Sequence, residues 1–425
     1  LGAGAVVSGS DLRASATLDE LAADGVVVEV GHEGLAGRDA AVVLWSPAVP
    51  TDDPELVAAR ARGARLVSRA QLLADLAETT EVVGLTGTHG KTTATSMMVH
   101  VMSAAGRDPA RLVGAPVPGV GANGHFGPDG LILEVDESYG TFARLRPAAL
   151  GLLNVEADHL DHYGDVASLE AEFVALVDRT TGPVVAWVDD PGAGRVASAA
   201  ARDVVTVGAT PRASWRVEGM SSTRAGSSFS LHHGGDSLEV ALRVPGAHVG
   251  ADAAVVAALA LTLGVDARAV ATGLSRFEGS PRRFARRGSW RGVDVYEDYA
   301  HLPGEIAATL AALSDVGYRS VTALFQPHRV TRTLALAEEF APSFDGAARV
   351  VVTDLYAAGE ANPTGVSGEL VAAPLRARRD GVVYAPRTAD AVAALVEWHD
   401  VSDVIVVLGA GDVARVIDDL DGGVA

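Results

Sequence analysis

The chain has 425 residues, of which 48% are hydrophobic, so it is long enough for two or three domains with buried cores. Its 54 acidic residues outnumber 34 lysines and arginines, and the net charge of −20 argues against a nucleic-acid backbone as the main partner. The sequence contains no cysteine, which excludes disulfides and thiolate metal sites and fits a cytoplasmic location. No run approaches about 18 unbroken apolar residues, so we expect no membrane span.

Residues 1–79 alternate short apolar runs with helical stretches, which predicts a small α/β domain with a parallel sheet. We expect strands over 5–7, 26–30, 41–45 and 65–68, and helices over 16–23, 54–62 and 70–78. Polar side chains after the strands are candidates for ligand binding, although each taken alone is better explained as a helix cap or turn. These candidates are Ser8, Ser10, Asp11, His32 and Ser46. The first apolar run begins almost at once, so we expect this domain to be N-terminally incomplete.

The segment VVGLTGTHGKTTAT at 82–95 predicts a phosphate-binding loop. An apolar run ends in glycines and a helical stretch follows, so backbone N–H groups and a helix N-terminus can face one anion. Lys91 can then reach terminal phosphates, and the hydroxyl after it can bind Mg²⁺. The spacing G-x-x-G-K-T-T is shorter than the usual pattern. A glycine turn before a surface helix is the alternative, and the Lys-Thr pair in this context argues against it.

Acidic clusters follow the next two predicted strands, which cover 131–135 and 149–155. They read EVDES at 134–138 and EADHLDH at 156–162. Both follow strand ends at the sheet edge where the phosphate loop lies, and carboxylates at that position suit Mg²⁺ bound to a triphosphate. A solvated acidic rim is the alternative interpretation.

The remaining sequence predicts more α/β structure. Short alternating runs from 203 to 243 indicate an antiparallel insertion, and an apolar helix is expected over 251–264. From 280 onward we expect strands over 292–296, 321–325, 349–353, 382–385 and 404–408, with helices over 303–314, 332–341, 367–377 and 387–397.

Polar clusters at these strand ends contain arginines suited to phosphate or carboxylate, or simply to solubility. The clusters comprise Arg282, Arg283, Glu297, Asp298, Tyr299, His301, Gln326, His328, Arg329 and Arg332.

These motifs in combination resemble the Mur ligase family, the ATP-dependent amide-forming enzymes of peptidoglycan synthesis. The matching segments are SGSD at 8–11, TGTHGKTT at 86–93, E-x-DES at 134–138, N-x-EADHLDHYG at 154–164, RRF at 282–284, DYAH-x-P at 298–303, FQPHR-x-TRT at 325–333 and GAGDV at 409–413. The resemblance spans essentially the whole chain and implies an α/β protein of three domains. The first domain, at 1–79, would be a Rossmann-like domain that binds the UDP substrate. The second, at 80–279, would be a P-loop-type central ATPase domain with a small antiparallel insertion. The third, at 280–425, would be a Rossmann-like domain for ADP and the amino acid.

The resemblance also implies roles for individual residues. The nucleotide would be bound by Gly87, Thr88, His89, Gly90, Lys91, Thr92, Thr93, Asp298, Tyr299 and His301. Mg²⁺ would lie near Thr92, Glu134 and His159. Catalysis would involve Lys91, Glu134, His159, Arg283 and His328, and the substrates would contact Ser46, His328, Arg329 and Arg332.

The FQPHR-x-TRT segment favours the branch that joins L-alanine to the carboxylate of UDP-N-acetylmuramate through an acyl phosphate. We therefore expect ATP and Mg²⁺ as cofactors, a UDP-sugar acid and an amino acid as substrates, and a cytoplasmic monomer or homodimer. Two alternatives remain open. One is a related ligase that acts on another acid, such as a muramyl peptide or a specialised metabolite. The other is an inactive nucleotide-binding paralogue.

Departures from the family pattern motivate these alternatives. The glycine-rich first loop of the family would precede Leu1 and is not part of these 425 residues. The family pattern H-N-x-x-N reads HVGAD at 248–252, so both asparagines are replaced, and one of them would contact adenine. The other departures are Tyr139 for the second acid of DESD, Leu302 for a second histidine, and Ala285 for the acid after RRF.

Overall fold

The computed structural model describes residues 4–31, 39–46 and 49–420, and these residues form a mixed α/β protein. Two large sheets of ten and six strands dominate it, and two small sheets of two strands precede them. Within the described ranges, every helix is too short or too polar to cross a bilayer.

The N-terminal part consists of two separate parallel strand pairs instead of the one sheet that the sequence predicts. Its elements are β1 (Ser8–Asp11), α1 (Ala16–Ala23), β2 (Val27–Val30), β3 (Val42–Trp45), α2 (Pro54–Ala61), β4 (Arg65–Ser68) and α3 (Arg69–Thr79). β1 pairs with β2, and β3 pairs with β4. The strand predicted at 5–7 is wrong, because the backbone of 8–11 makes the pairing. The candidate His32 lies outside the described residues.

The ten-stranded sheet places the phosphate loop between two acidic strand ends. Its strands are β5 (Val82–Thr86), β6 (Pro109–Leu112), β7 (Gly124–Pro128), β8 (Leu131–Val135), β9 (Ala149–Leu152), β10 (Val184–Trp187), β11 (Val205–Gly208), β12 (Trp215–Thr223), β13 (Gly226–His233) and β14 (Asp236–Leu242). Their order is β14-β13-β12-β11-β10-β9-β5-β8-β6-β7. β5 is parallel to both β8 and β9, so the carboxyl ends of the three strands meet at one edge. The strands β12–β14 are antiparallel, as the sequence predicts for this region, and they extend the sheet through β11.

Six helices accompany this sheet, and two of them are buried over most of their length. They are α4 (Lys91–Ala104), α5 (Leu160–Tyr163), α6 (Val166–Arg179), α7 (Pro191–Ala199), α8 (Ala247–Thr262) and α9 (Ala267–Arg276). Met97, Met98 and Val101 of α4 are fully buried, and so is the run 253–260 of α8. A helix that is apolar on all sides needs partners on all sides, which explains why α8 lies inside the fold. We refer to β5 through α9 as the central unit.

The six-stranded sheet forms the C-terminal unit, which runs from β15 through α14. Its strands are β15 (Ala285–Trp290), β16 (Val293–Asp298), β17 (Val321–Phe325), β18 (Arg349–Val352), β19 (Val382–Tyr384) and β20 (Val404–Leu408), in the order β15-β16-β20-β17-β18-β19. Its helices are α10 (Pro303–Asp315), α11 (Val330–Ser343), α12 (Glu369–Arg378), α13 (Thr388–Trp398) and α14 (Arg415–Asp418). β16, β20 and β17 are parallel neighbours, so Asp298 and Gln326 emerge at the same sheet edge.

Candidate active site

The phosphate loop, residues 87–93, connects β5 to α4 and is fastened to the segment that follows β9. Gly87 and Gly90 adopt φ angles of 145° and 77°, which glycine tolerates far better than other residues. A Cβ on Gly87 would also lie 3.0 Å from the backbone of Asn154. The amide of His89 donates to the side-chain oxygen of Asn154 at 2.7 Å. The loop backbone therefore has a fixed shape.

Lys91 lies inside this loop and forms an ion pair with Glu137. Its Nζ donates to the carbonyl oxygens of Gly87 and Thr88 at 2.8 and 3.0 Å, and it is 2.7 Å from Oε2 of Glu137. Burial alone would lower the pKa of Lys91, but the carboxylates of Glu137 and Asp136 outweigh it and raise that pKa. The ammonium group therefore stays charged.

Thr92 and Glu134, two of the residues predicted to lie near Mg²⁺, are side by side. The hydroxyl of Thr92 donates to Oε1 of Glu134 at 3.1 Å, and the amide of Gly114 donates to Oε2 at 2.6 Å. A Cβ on Gly114 would lie 2.8 Å from both carboxylate oxygens, so glycine allows this approach. A hydroxyl beside a carboxylate offers the oxygen ligands that Mg²⁺ prefers.

His159 belongs to a second acidic group with Glu137 and Asp158. One potential metal-binding atom from each of the three lies within 4.8 Å of the others. This group contains His159 but not Glu134, so the joint contact of Thr92, Glu134 and His159 with Mg²⁺ stays a prediction. His159 adopts a φ of 52°, and burial lowers the pKa of its imidazole.

Arg332 of α11 binds Asp158 across the boundary between the central and C-terminal units. Its Nη2 lies 2.8 and 3.1 Å from the two carboxylate oxygens, and its Nη1 lies 3.2 Å from Nδ1 of His328. The side chains of Arg332 and Asp158 are only 7% and 8% exposed. Burial would raise the pKa of Asp158, but Arg332 and His159 lower it to about 2.

His328 and Arg329 precede α11 and contact residues of the C-terminal unit. The ring of His328 stacks on Tyr356, with 5.6 Å between centroids. Burial, His301 and Arg332 lower the pKa of His328 to about 3, so its imidazole is neutral. Nε of Arg329 donates to Oε1 of Glu360 at 2.6 Å. Ser46, the remaining predicted substrate contact, follows β3 in the N-terminal part of the chain.

A cavity of about 310 Å³ lies between the central and C-terminal units. Its walls combine apolar side chains such as Trp187, Val249 and Phe277 with charged ones. Among the residues predicted to bind nucleotide or act in catalysis, it is lined by His89, Gly90, Thr93, Arg283 and Asp298. Tyr299 and His301 lie outside its lining.

The two buried aspartates of this cavity differ in their hydrogen bonds. Asp298 accepts from the amides of Phe284 and Ala300 at 3.2 and 3.0 Å and from the hydroxyl of Thr309 at 2.8 Å. Burial raises its pKa to about 6. Asp252 accepts no hydrogen bond from the described residues, and burial raises its pKa to about 8. Asp252 therefore presents a neutral carboxyl group to the cavity at neutral pH.

Arg282 and Arg283 have different environments although they are adjacent. Arg282 donates to Glu297 at 2.8 Å and to the carbonyl oxygens of Gly409 and Gly411, so it holds the C-terminal unit together. The guanidinium of Arg283 lies 4.5 Å from the centroid of the Tyr299 ring and 3.5 Å from Glu305. It is the arginine of this pair that faces the cavity.

Three acidic residues of the site were not singled out from the sequence: Glu137, Asp158 and Glu305. Glu137 and Asp158 stand inside motifs that the sequence does display, so the motif indicates their neighbourhood but not their partners. Glu305 accepts from the amides of His301 and Leu302 at 2.8 and 3.2 Å, a capping role that its place near the start of α10 could have indicated.

Comparison with protein families gives three matches in chain order. The model described as Mur ligase family, catalytic domain, matches residues 1–80. The Mur ligase middle domain matches 85–260, and the Mur ligase glutamate ligase domain matches 282–411.

Individual relatives agree with these matches. The chain is 40% identical to the UDP-N-acetylmuramate–L-alanine ligase of Thermobifida fusca, over 97% of this chain and 90% of the relative. It is 41% identical to the enzyme of that name from Acidothermus cellulolyticus, over 97% and 89%. The crystal structure of the UDP-N-acetylmuramate–alanine ligase of Thermotoga maritima superposes with a TM-score of 0.80 at 27% identity, covering 96% of this chain and 91% of that chain. The chain therefore belongs to the Mur ligase family.

Proposed function

We propose that this protein joins L-alanine to the carboxylate of UDP-N-acetylmuramate and converts ATP to ADP and phosphate, a step in the synthesis of peptidoglycan precursors. The observation that carries the proposal is the likeness, at about 40% identity and nearly full length, to enzymes named for this reaction. The sequence expectation of an ATP-dependent acid–amino-acid ligase of the Mur family agrees with it.

The chemistry requires activation of a poor acyl donor. Transfer of the γ-phosphoryl group of ATP to the carboxylate gives an acyl phosphate, and attack by the amine then forms the amide and releases phosphate. Such a site must neutralise the moving phosphoryl group and must orient both substrates. In this proposal Lys91 contacts the transferring oxygens, and the position of its charged ammonium within the phosphate loop supports this role. Arg283, which shortly precedes β15, supplies a second cation.

The donor groups around Lys91 fit Mg²⁺. Thr92 with Glu134 offers hydroxyl and carboxylate oxygens, and Glu137, Asp158 and His159 offer two carboxylates and one imidazole. An oxygen-rich set with a single nitrogen suits this hard cation. When bound, Mg²⁺ would supply positive charge to the triphosphate.

The amino acid and the acid that it attacks belong beside α11 in this proposal. His328, Arg329 and Arg332 would orient the two substrates, and Ser46 would contact the UDP-linked acid. The attacking amine must lose a proton. His328 is a weak base because its pKa is about 3.

The proposal extends to the organisation of the chain. Domains at 1–79, 80–279 and 280–425 would bind the UDP-linked acid, ATP, and ADP with the amino acid. The reaction belongs in the cytoplasm, and the active form would be a monomer or a homodimer, which analytical ultracentrifugation would distinguish.

The decisive experiment measures phosphate release from ATP with UDP-N-acetylmuramate and a panel of amino acids. We expect release that requires both UDP-N-acetylmuramate and L-alanine, with each omission as a control. If the folded protein binds ATP but releases no phosphate with this acid, the proposal is wrong and a search over other acids should begin with muramyl peptides. Absence of turnover with every acid would instead favour a nucleotide-binding paralogue.

A further inference from the structure

The side chain of His89 is surrounded by carboxylates from both units. Its Nε2 lies 3.0 Å from Oε2 of Glu156, which follows β9 in the central unit. Its Nδ1 lies 3.2 Å from Oε1 of Glu305, near the start of α10 in the C-terminal unit. The second contact is an ion pair without good hydrogen-bond alignment. Both ring nitrogens of His89 therefore face protein carboxylates.

The imidazole is charged in this environment. Burial alone would lower the pKa of His89, but Glu305 and Glu156 outweigh it and raise that pKa to about 10. The ring is 15% exposed and the carboxylate of Glu305 is 10% exposed, so solvent screens their interaction weakly. The charged imidazole of His89 lies between the carboxylates of Glu156 and Glu305. It provides a positive partner for negative charge that would otherwise be buried alone.

The surrounding backbone is shaped for this contact. A Cβ on Gly304 would lie 2.3 Å from Oε2 of Glu156, so glycine lets the first turn of α10 approach the central unit. Thr88 accepts from the amide of Glu156 at 2.9 Å, which ties the phosphate loop to the same segment. Glu305 in turn lies 3.5 Å from Arg283. The contacts run continuously from the phosphate loop to the arginine that faces the cavity.

We propose that His89 is a positioning residue that couples the phosphate loop to the C-terminal unit through Glu305, and so aligns the ATP-binding loop with Arg283. This inference rests on the proposed function. It differs from the family expectation for the loop, in which His89 is one of the residues that bind the nucleotide. A side chain with both nitrogens facing carboxylates is placed to join two units rather than to bind a phosphate.

The test is a double-mutant cycle with His89→Gln, Glu305→Gln and the double variant. Glutamine at 305 keeps an oxygen for the amides of His301 and Leu302 while removing the charge. The cycle isolates the His89–Glu305 interaction from the effect of Glu305 on Arg283. His125→Gln is the matched control, because His125 forms an ion pair of 2.8 Å with Asp108 on the surface, with 35% and 64% of the side chains exposed.

Two measurements are made on each variant. In the free protein, we expect each single substitution to lower the unfolding midpoint by about 2–4 °C, and the double variant to be little worse than either. In the ligase assay, we expect each single substitution to lower kcat about 10-fold with the KM for ATP changed less than about 3-fold, and the two effects not to multiply. His125→Gln should change neither quantity.

Each other outcome is decisive. Additive shifts in the unfolding midpoint would show that His89 and Glu305 are not coupled and would overturn the proposal. If the shifts in the unfolding midpoint are coupled but kcat is unchanged, the contact between His89 and Glu305 has only a structural role, and the proposal is wrong. A rise in the KM for ATP with kcat unchanged would make His89 a nucleotide ligand. If the wild-type protein lacks alanine-dependent turnover, the proposed function fails, while the unfolding cycle still decides whether the two units are coupled here.

Discussion

The ion pair between Lys91 and Glu137 determines what removal of the lysine does. Lys91→Ala should lower phosphate release at least about 10²–10³-fold, because the variant lacks the cation within the phosphate loop. It should also destabilise the fold, since it leaves Glu137, which is 1% exposed, without its partner. The loss is up to about 3–5 kcal/mol and should be larger at pH 8 than at pH 6, because burial raises the pKa of Glu137 above that of an unfolded chain.

Chemical denaturation at both pH values and the phosphate assay check this prediction. The double variant Lys91→Ala/Glu137→Gln is the control, because it removes the buried charge as well. It should recover most of the stability and none of the activity. Turnover of Lys91→Ala at the wild-type rate would contradict the assignment of the phosphate loop.

The second prediction for a single residue concerns Asp252 and the pH dependence of the stability of the protein. Its pKa is about 8 in the fold and about 3.9 in an unfolded chain. Between these values the unfolded chain has released the proton while the folded protein keeps it, so stability falls as the pH rises through this range. The substitution Asp252→Asn removes this pH-dependent contribution to the free energy of unfolding. The stability of Asp252→Asn relative to wild type should therefore increase by several kcal/mol from pH 4 to pH 8, at about 1.4 kcal/mol per pKa unit.

Denaturation of wild type and Asp252→Asn at pH 4, 6 and 8 measures this difference. Asp236→Asn, at an exposed position in a hairpin, is a suitable control and should show no such trend. A difference between Asp252→Asn and wild type that does not vary with pH would show that Asp252 is ionised in the folded protein.

Sequence motifs locate the reactive side chains better than they identify their partners. Lys91 and Thr92 follow from the order strand, glycine loop, helix, which is local. The partner of Lys91 is 46 residues away and that of Arg332 is 174 residues away. No short-range pattern specifies which carboxylate of an acidic cluster turns inward, because that choice depends on how the strands are ordered in the sheet.

At the scale of elements, the contact between α4 and α9 depends on one glycine. A Cβ on Gly273 of α9 would lie 2.4 Å from the Cα of Val101 in α4 and 2.8 Å from the carbonyl oxygen of His100. These are backbone atoms, which cannot move aside cheaply. Gly273→Ala should therefore destabilise the protein by about 1–3 kcal/mol, although alanine favours a helix over glycine by about 1 kcal/mol.

Gly194→Ala in α7 provides the matched control. A Cβ there meets its nearest neighbour, the carbonyl oxygen of Val188, at 3.4 Å, which is an ordinary contact. Gly194→Ala should leave stability unchanged or raise it by about 0.5–1 kcal/mol. Both variants are compared by urea denaturation. Equal stabilisation in the two helices would show that α9 is not packed closely on α4.

Sequence patterns miss the strands that are stabilised by backbone pairing with a neighbouring strand and not by an apolar run of their own. β1 consists of Ser, Gly, Ser and Asp, and β15 reads ARRGSW, so neither has the apolar run that typifies a strand. β1 is stabilised by its parallel pairing with β2, and β15 is stabilised by its antiparallel pairing with β16. In contrast, β20 is apolar throughout and β17 is apolar except for Thr322. Both strands lie inside the sheet, and the predicted bounds for both agree with the structure.

At the scale of the whole molecule, two charged contacts among the described residues join the central and C-terminal units at the site. One is His89 with Glu305, and the other is Asp158 with Arg332. The first contact begins at His89 in the phosphate loop, and the second at Asp158, one of the groups proposed to bind Mg²⁺. The geometry of the catalytic groups therefore depends on how the two units lie against each other.

Arg332→Gln tests this dependence in the whole molecule. The substitution leaves Asp158 buried without its cation, so we expect a loss of about 3–5 kcal/mol in the free energy of unfolding. Arg195→Gln is the control, since Arg195 lies 2.6 Å from Glu170 but is 57% exposed, and such surface pairs contribute about 0–1 kcal/mol. Urea denaturation compares the two variants. A loss no larger than that of Arg195→Gln would show that solvent reaches Asp158, and the two units would then be separated at this point in solution. A large loss that Asp158→Asn relieves in the double variant would place the buried charge at the boundary between the two units.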